Sequence, residues 1–121
     1  MAQVFKTAAA PIEVLIELEV GEDRSGVITD EELLALARHS AAQDKVVLKR
    51  IFSHEGHTYK AKDGEASRRL AAESQARTVR SANLVRQAGS PLEVVSIGAT
   101  PSLMQAGIVA GVTEIRPGTY V

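Results

Sequence analysis

The chain has 121 residues, 45% hydrophobic and 24% charged, a balance that fits one globular unit and excludes a fibrous or disordered polymer. Fourteen basic and fifteen acidic residues leave a formal charge of -1, so no unbalanced field draws it to nucleic acid or anionic lipid. The lack of cysteine excludes disulfides, thiolate zinc sites and cysteine nucleophiles. The start, MAQVFKTAAAP, has no signal-peptide core, and no stretch nears the roughly 18 apolar residues of a membrane span; the expected setting is the cytoplasm.

In chain order, IEVLIELEV places Ile12, Val14, Ile16, Leu18 and Val20 on one face and Glu13, Leu15, Glu17 and Glu19 on the other, which predicts a strand. After GEDRSGV, the segment TDEELLALARHSAA opens with a Thr29–Glu32 capping box and carries Leu33, Leu36, Ala37 and Ala41 at helical spacing. VVLKRIFS predicts a second strand, SHEGHTYKAKDG a polar loop, and residues 65–88 a long helix that stops at Gly89. LEVVSIG predicts a third strand, PSLMQAG a short helix, and VTEI a short fourth strand before RPGT.

Strands alternating with helices, with polar and glycine-bearing segments after the strands, predict parallel βα units and a site along the strands' carboxyl ends. An open doubly wound sheet can be complete at this length, whereas a TIM (β/α)8 barrel needs roughly 200 residues or more. Glu17 and Glu19 on one strand face favour a barrel, whose mouth tolerates carboxylates better than a buried helix layer does. The expected fold is α/β, with about four strands forming an incomplete part of a TIM barrel.

Several motifs can carry chemistry. In VSIGATPS, backbone amides at a strand-to-helix turn, with Thr100 or Ser102, can form an anion cup or simply cap a helix. RPGTY offers Arg116 for charge, Gly118 for close backbone approach and Tyr120 for a phenol, or is an ordinary turn. His54 and His57 lie three apart in SHEGHTY, without the helical spacing or third ligand of a metal site; such loop histidines can stack on a ring or hydrogen-bond in a pocket, or are simply solvated. Arg24 can orient a cofactor oxygen or form a strand-end ion pair. The helix arginines 68, 69, 77, 80 and 86 interleave with Glu65 and Glu73 and lack aromatic neighbours, which predicts a solvated face rather than a nucleic-acid surface.

Taken in order, EVGEDRSGV, FSHEGHTY, VSIGATPS and TEIRPGTYV resemble the middle of the pyridoxal-phosphate enzymes of the alanine racemase barrel type, in the branch of D-threonine aldolase and D-serine dehydratase. The resemblance runs from about residue 12 to the last residue. It implies a cofactor over the carboxyl ends of the strands, with its phosphate cupped by Thr100 and by backbone at Gly118 and Thr119. Arg24 would face the ring hydroxyl, His54 would lie against the pyridine ring, and Tyr120, or secondarily Arg116, would approach the ring nitrogen. Tyr59 is a secondary candidate for the pocket wall. Glu19 departs from the family, which usually has aspartate there.

The resemblance also implies a lyase acting on D-3-hydroxy amino acids, by aldol cleavage to glycine and an aldehyde or by dehydration. In the family the Schiff-base lysine stands on the first barrel strand, and the divalent-metal ligands lie in a later β domain. Lys6, Lys45, Lys49, Lys60 and Lys62 do not occupy that lysine's position. Residues 1–121 thus read as a partial barrel domain, a middle fragment with no catalytic residue or metal ligand of its own, inactive alone and prone to self-association. The alternative is a non-catalytic α/β remnant or weak phosphate-binding module.

Overall fold

A computed structural model describes residues 9–119. The elements run β1 (Ile12–Leu18), α1 (Asp30–Ala41), β2 (Val46–Ser53), a 3-10 turn (Gly56–Lys60), α2 (Gly64–Gln87), β3 (Val94–Ile97), α3 (Thr100–Gln105) and β4 (Glu114–Ile115). The strands form one parallel sheet in the order β1-β2-β3-β4. A doubly wound sheet reverses strand order at a switch point and is covered on both faces. Here the order never reverses, and α1 and α2 both pack on one face, so the four-stranded unit is a section of barrel wall.

The covered face holds the core: Ile16 and Leu18 of β1, Leu33 and Ala37 of α1, Leu48 and Ile51 of β2, Ala82 and Val85 of α2, and Val95 of β3. The period-two pattern sends Leu15, Arg50, Phe52 and Ser96 to the opposite, inner face. The register slips between Val14 and Leu15, which pair with Leu48 and Arg50, leaving Lys49 as an extra residue in β2.

Local chemistry accounts for the helices. Thr29 Oγ1 accepts from Glu32 N–H at 3.2 Å while Glu32 Oε2 accepts from Thr29 N–H at 3.1 Å, the capping box read from the sequence. Of the stripe expected on α1, Leu33 and Ala37 are buried, whereas Leu36 and Ala41 face solvent. Helix α2 starts on Asp63, whose carboxylate accepts from Ala66 N–H at 2.8 Å. Its buried stripe is small and hydroxylated, with Ser67, Ala71, Ser74, Thr78, Ser81 and Ala82, which lets it lie close on the sheet.

Two expectations need correction. The first strand ends at Leu18, so Glu19 does not share a strand face with Glu17. The arginines of α2 are not all a solvated face: Arg80 pairs with Asp30 of α1 at 3.0 Å, Arg86 Nε donates to Leu92 C=O at 2.9 Å, and Arg77 donates to Ile28 C=O.

Candidate functional site

The carboxyl ends of the strands carry the loops singled out in the sequence. After Leu18 the chain turns, and the buried Glu19 carboxylate accepts from Gly21 N–H and, at 3.2 Å, from Arg24 N–H. Burial alone would raise the Glu19 pKa, but the backbone N–H groups of Gly21, Asp23, Arg24 and Glu22 outweigh it and hold the carboxyl below its ordinary 4.5. The loop then returns to the edge of β1, where Val27 N–H donates to Glu17 C=O at 2.9 Å and Glu19 N–H to Val27 C=O at 3.0 Å. Gly26 makes this return possible: its φ is +106°, and a Cβ there would lie 2.6 Å from Glu19 N and from Leu18 C.

This loop sets Arg24. Its guanidinium lies 3.5 Å from Glu22 Oε2 and 3.9 Å from Glu17 Oε1, with the side chain 55% exposed. The strand-end ion pair open in the sequence is therefore formed, with Glu17 and Glu22; Glu19 is met only by the backbone of Arg24. His54 follows β2 beside the same carboxylate, with Nε2 3.9 Å from Glu22 Oε2. His57 turns away from His54: its Nε2 lies 3.4 Å from Ser74 Oγ on α2, and its Nδ1 is buried without a partner.

The two glycine-bearing loops meet. Thr119 N–H donates to Thr100 Oγ1 at 2.9 Å, joining GATPS to RPGT. The helix-cap reading of GATPS fails, because the cap residue of α3 is Ala99, without a side-chain cap bond, and Ser102 Oγ goes to Glu55 instead. Gly98 is the point of closest approach: a Cβ there would lie 2.9 Å from Arg116 O and 3.0 Å from its Cβ. At Gly118 a Cβ would meet no atom within 4 Å, so open space faces its backbone.

Arg116 crosses the inner face. Its Nε donates to Ser96 Oγ at 2.8 Å, its other arm donates to Ser53 C=O, and its Cζ sits 4.8 Å from the Phe52 ring centroid. Burial lowers its pKa, while the carboxylates of Glu55, Glu114 and Glu17 act in the opposite direction. Glu114 accepts from Ser96 Oγ at 2.6 Å and from Arg50 Nη1 at 2.7 Å. The Ser96 bond leads in holding its carboxyl below the ordinary value, against its burial.

The structure thus brings Thr100, Thr119 and Gly118 together on one side and Arg24 and His54 on the other, with Arg116 across the inner face. Tyr59, on the 3-10 turn, is 58% exposed and joins neither group. Tyr120 lies outside the described residues. Sequence reasoning missed Glu22 and Glu55. Glu22 stood among other charges of a polar loop, and the only sign of Glu55 was the Ser-x-Glu spacing with Ser53.

The donor set fits a phosphorylated aromatic ring. Thr100 Oγ1 accepts from Thr119 and keeps its own proton to donate, open space faces Gly118, and Arg24 and His54 offer polar groups at the carboxyl ends of the neighbouring strands. Comparison with known proteins agrees with this architecture. The family of the alanine racemase N-terminal domain matches residues 1–121. A D-threo-3-hydroxyaspartate dehydratase of Delftia sp. (strain HT23) is 39% identical over 110 residues, 90% of this chain and 29% of that protein. The solved structure of the dehydratase from Delftia sp. HT23 superposes with a TM-score of 0.90 at 34% identity, over 97% of this chain and 31% of that one. The D-threonine aldolase from Filomicrobium marinum superposes with a TM-score of 0.84 at 26% identity, over 97% and 32%. This chain therefore spans about a third of each of these relatives. The chain belongs to the alanine racemase N-terminal domain family, and its sheet is part of that family's barrel.

Proposed function

We propose that these residues form the phosphate side and one ring-facing wall of a pyridoxal-phosphate site, in a lyase acting on D-3-hydroxy amino acids. The observation that carries the reading is the hydrogen bond from Thr119 N–H to Thr100 Oγ1, which draws two loops 19 residues apart into one cup. A D-threo-3-hydroxyaspartate dehydratase and a D-threonine aldolase among the similar proteins support the substrate class; both names describe D-amino acids with a hydroxyl on the third carbon.

When bound, the cofactor supplies an electron sink for chemistry at the substrate α-carbon. The chain's own residues bind and orient it. Thr100 would donate its hydroxyl proton to a phosphate oxygen, with the backbone at Gly118 and Thr119 beside it. Arg24, steadied by Glu17 and Glu22, would hold the ring hydroxyl, and His54, beside Glu22, would support the ring. Arg116, braced on Ser96 and Ser53, would present its guanidinium on the inner face toward the ring.

Among the described residues, no lysine stands where it could serve as the imine-forming group. Lys49 is held by Glu13 at 3.3 Å and Glu93 at 3.1 Å, residues at the amino-terminal side of the sheet, while Lys60 and Lys62 are exposed beyond β2. The 121 residues alone therefore bind the cofactor without turning over D-threonine or D-threo-3-hydroxyaspartate.

Titration of the chain with inorganic phosphate and with pyridoxal phosphate, followed by amide shifts, tests the site. Residues 98–102 and 117–119 should respond together, with half-saturation near the millimolar range, about 4 kcal/mol. Thr100→Val should abolish the joint response. Borohydride reduction of the loaded chain should label no single lysine. Independent behaviour of the two segments, or an unaltered response in Thr100→Val, removes the phosphate site. Specific labelling of one lysine together with turnover removes the claim of inactivity.

A further inference from the structure

Glu55 is fully buried, yet it lies directly behind the residues that form the proposed cup. Its Oε1 accepts from Ser53 Oγ at 2.9 Å, and its Oε2 accepts from Ser102 Oγ at 2.7 Å. Its backbone N–H donates to Gly98 C=O at 3.2 Å, and its C=O accepts from Thr58 Oγ1 at 2.6 Å. One residue thus holds both ends of the Gly98–Ser102 segment while standing next to His54. Thr78 of α2 backs the arrangement by donating to Ser53 Oγ at 2.9 Å.

A buried carboxylate is tolerated only when charge and hydrogen bonds compensate its lost hydration. Here two hydroxyls supply the bonds, and Arg116, attached to the carbonyl of Ser53, supplies the charge. Replacing a buried ionic group by an apolar side chain of similar volume is often neutral or stabilising, so packing alone does not call for a carboxylate here. The carboxylate provides a fixed acceptor for Ser102, whose other contact is Ala99 C=O at 2.8 Å.

We infer that Glu55 is a positioning residue, which fixes the Gly98–Ser102 loop relative to His54 through Ser102 and the backbone of Gly98. It touches neither cofactor nor substrate. What the loop binds rests on the proposed function; the grip of Glu55 on the loop does not.

Amide hydrogen exchange and phosphate titration on the 121-residue chain test this in Glu55→Gln and Ser102→Ala. Glutamine keeps the shape but loses the charge-assisted bonds, and alanine removes one of them. Both variants should speed exchange of the Thr119 amide, which Thr100 Oγ1 protects, by about tenfold. The Leu33 amide, which donates to Thr29 C=O in α1, should stay within about twofold. Both variants should also raise half-saturation by phosphate about threefold or more.

Unchanged Thr119 exchange in both variants overturns the inference. So does a rise at Leu33 in step with Thr119, which would make Glu55 a general support of the fold. If Glu55→Gln does not fold, Ser102→Ala decides alone by the same criteria. If the wild-type chain shows no phosphate response, the proposed function falls while the exchange rates still judge Glu55.

Discussion

Glu19 shows how one side chain can serve a site without facing it. Its carboxylate gathers the amides of the loop that carries Glu22 and Arg24, and those amides keep it ionised below the ordinary 4.5. A folded-state pKa depressed in this way adds stability that is present above the unfolded value and lost as pH falls through the folded one. Thermal melts from pH 6 to pH 3 should therefore show an acid-side loss, and Glu19→Gln should flatten that part of the profile; a profile of unchanged steepness would mean the loop amides do not hold the charge. The sequence displayed the acid, the glycines and Arg24, but alternation alone carried the strand through Val20 and sent Glu19 to the barrel mouth. Nothing in periodicity reveals that a carboxylate turns back onto amides that follow it.

Among the elements, β2 occupies Val46–Ser53 as VVLKRIFS indicated, because its β-branched and aromatic residues are bounded by polar segments on both sides. Helix α1 begins at its capping box for an equally local reason. Thr29→Ala should lower stability by about 1 kcal/mol, read from the urea midpoint at constant slope; a loss below a few tenths would show that packing of Leu33 and Ala37 sets the helix start unaided. The arginines of α2 were harder to read. Arg77, Arg80 and Arg86 serve as ties to Ile28, Asp30 and Leu92, the first two about 50 residues away. Glu55 belongs to the same class, since its bond to Ser102 spans 47 residues. Short-range pattern marks where an element is, and these contacts depend on which elements the sheet order places side by side.

For the whole molecule, the inner face matters most. Leu15 is 53% exposed and Val47 38%, and among the described residues the edges belong to β1 and β4, with β1 met near its carboxyl end by Val27. Unpaired parallel edges beside exposed aliphatic side chains favour association. Light scattering across a tenfold range of concentration should show a rising mean mass, and Leu15→Glu should lower it. A concentration-independent monomer would mean that the polar ladder of Arg50, Glu114, Ser96 and Arg116 solvates this face sufficiently. The ordered motifs carried the family and the barrel; the ladder was hidden because its members come from three strands and the residue just after β4, brought into line only by the register of the sheet.

The extra residue in β2 decides a matter of parity. Counting back from the carboxyl end, Ser53 and Ile51 point beneath the helices while Phe52 points inward; counting forward from Val46, it is Leu48 that points beneath them. Odd and even change places at Lys49. Were Lys49 paired as an ordinary ladder residue, strict alternation from Leu48 would turn His54 under the helix layer and send the carboxylate of Glu55 into the open barrel; the bulge prevents this inversion. The direction in which the chain leaves the strand is thus set four residues upstream of Ser53, by a single bulge residue whose own side chain stays at the far end of the sheet, between Glu13 and Glu93.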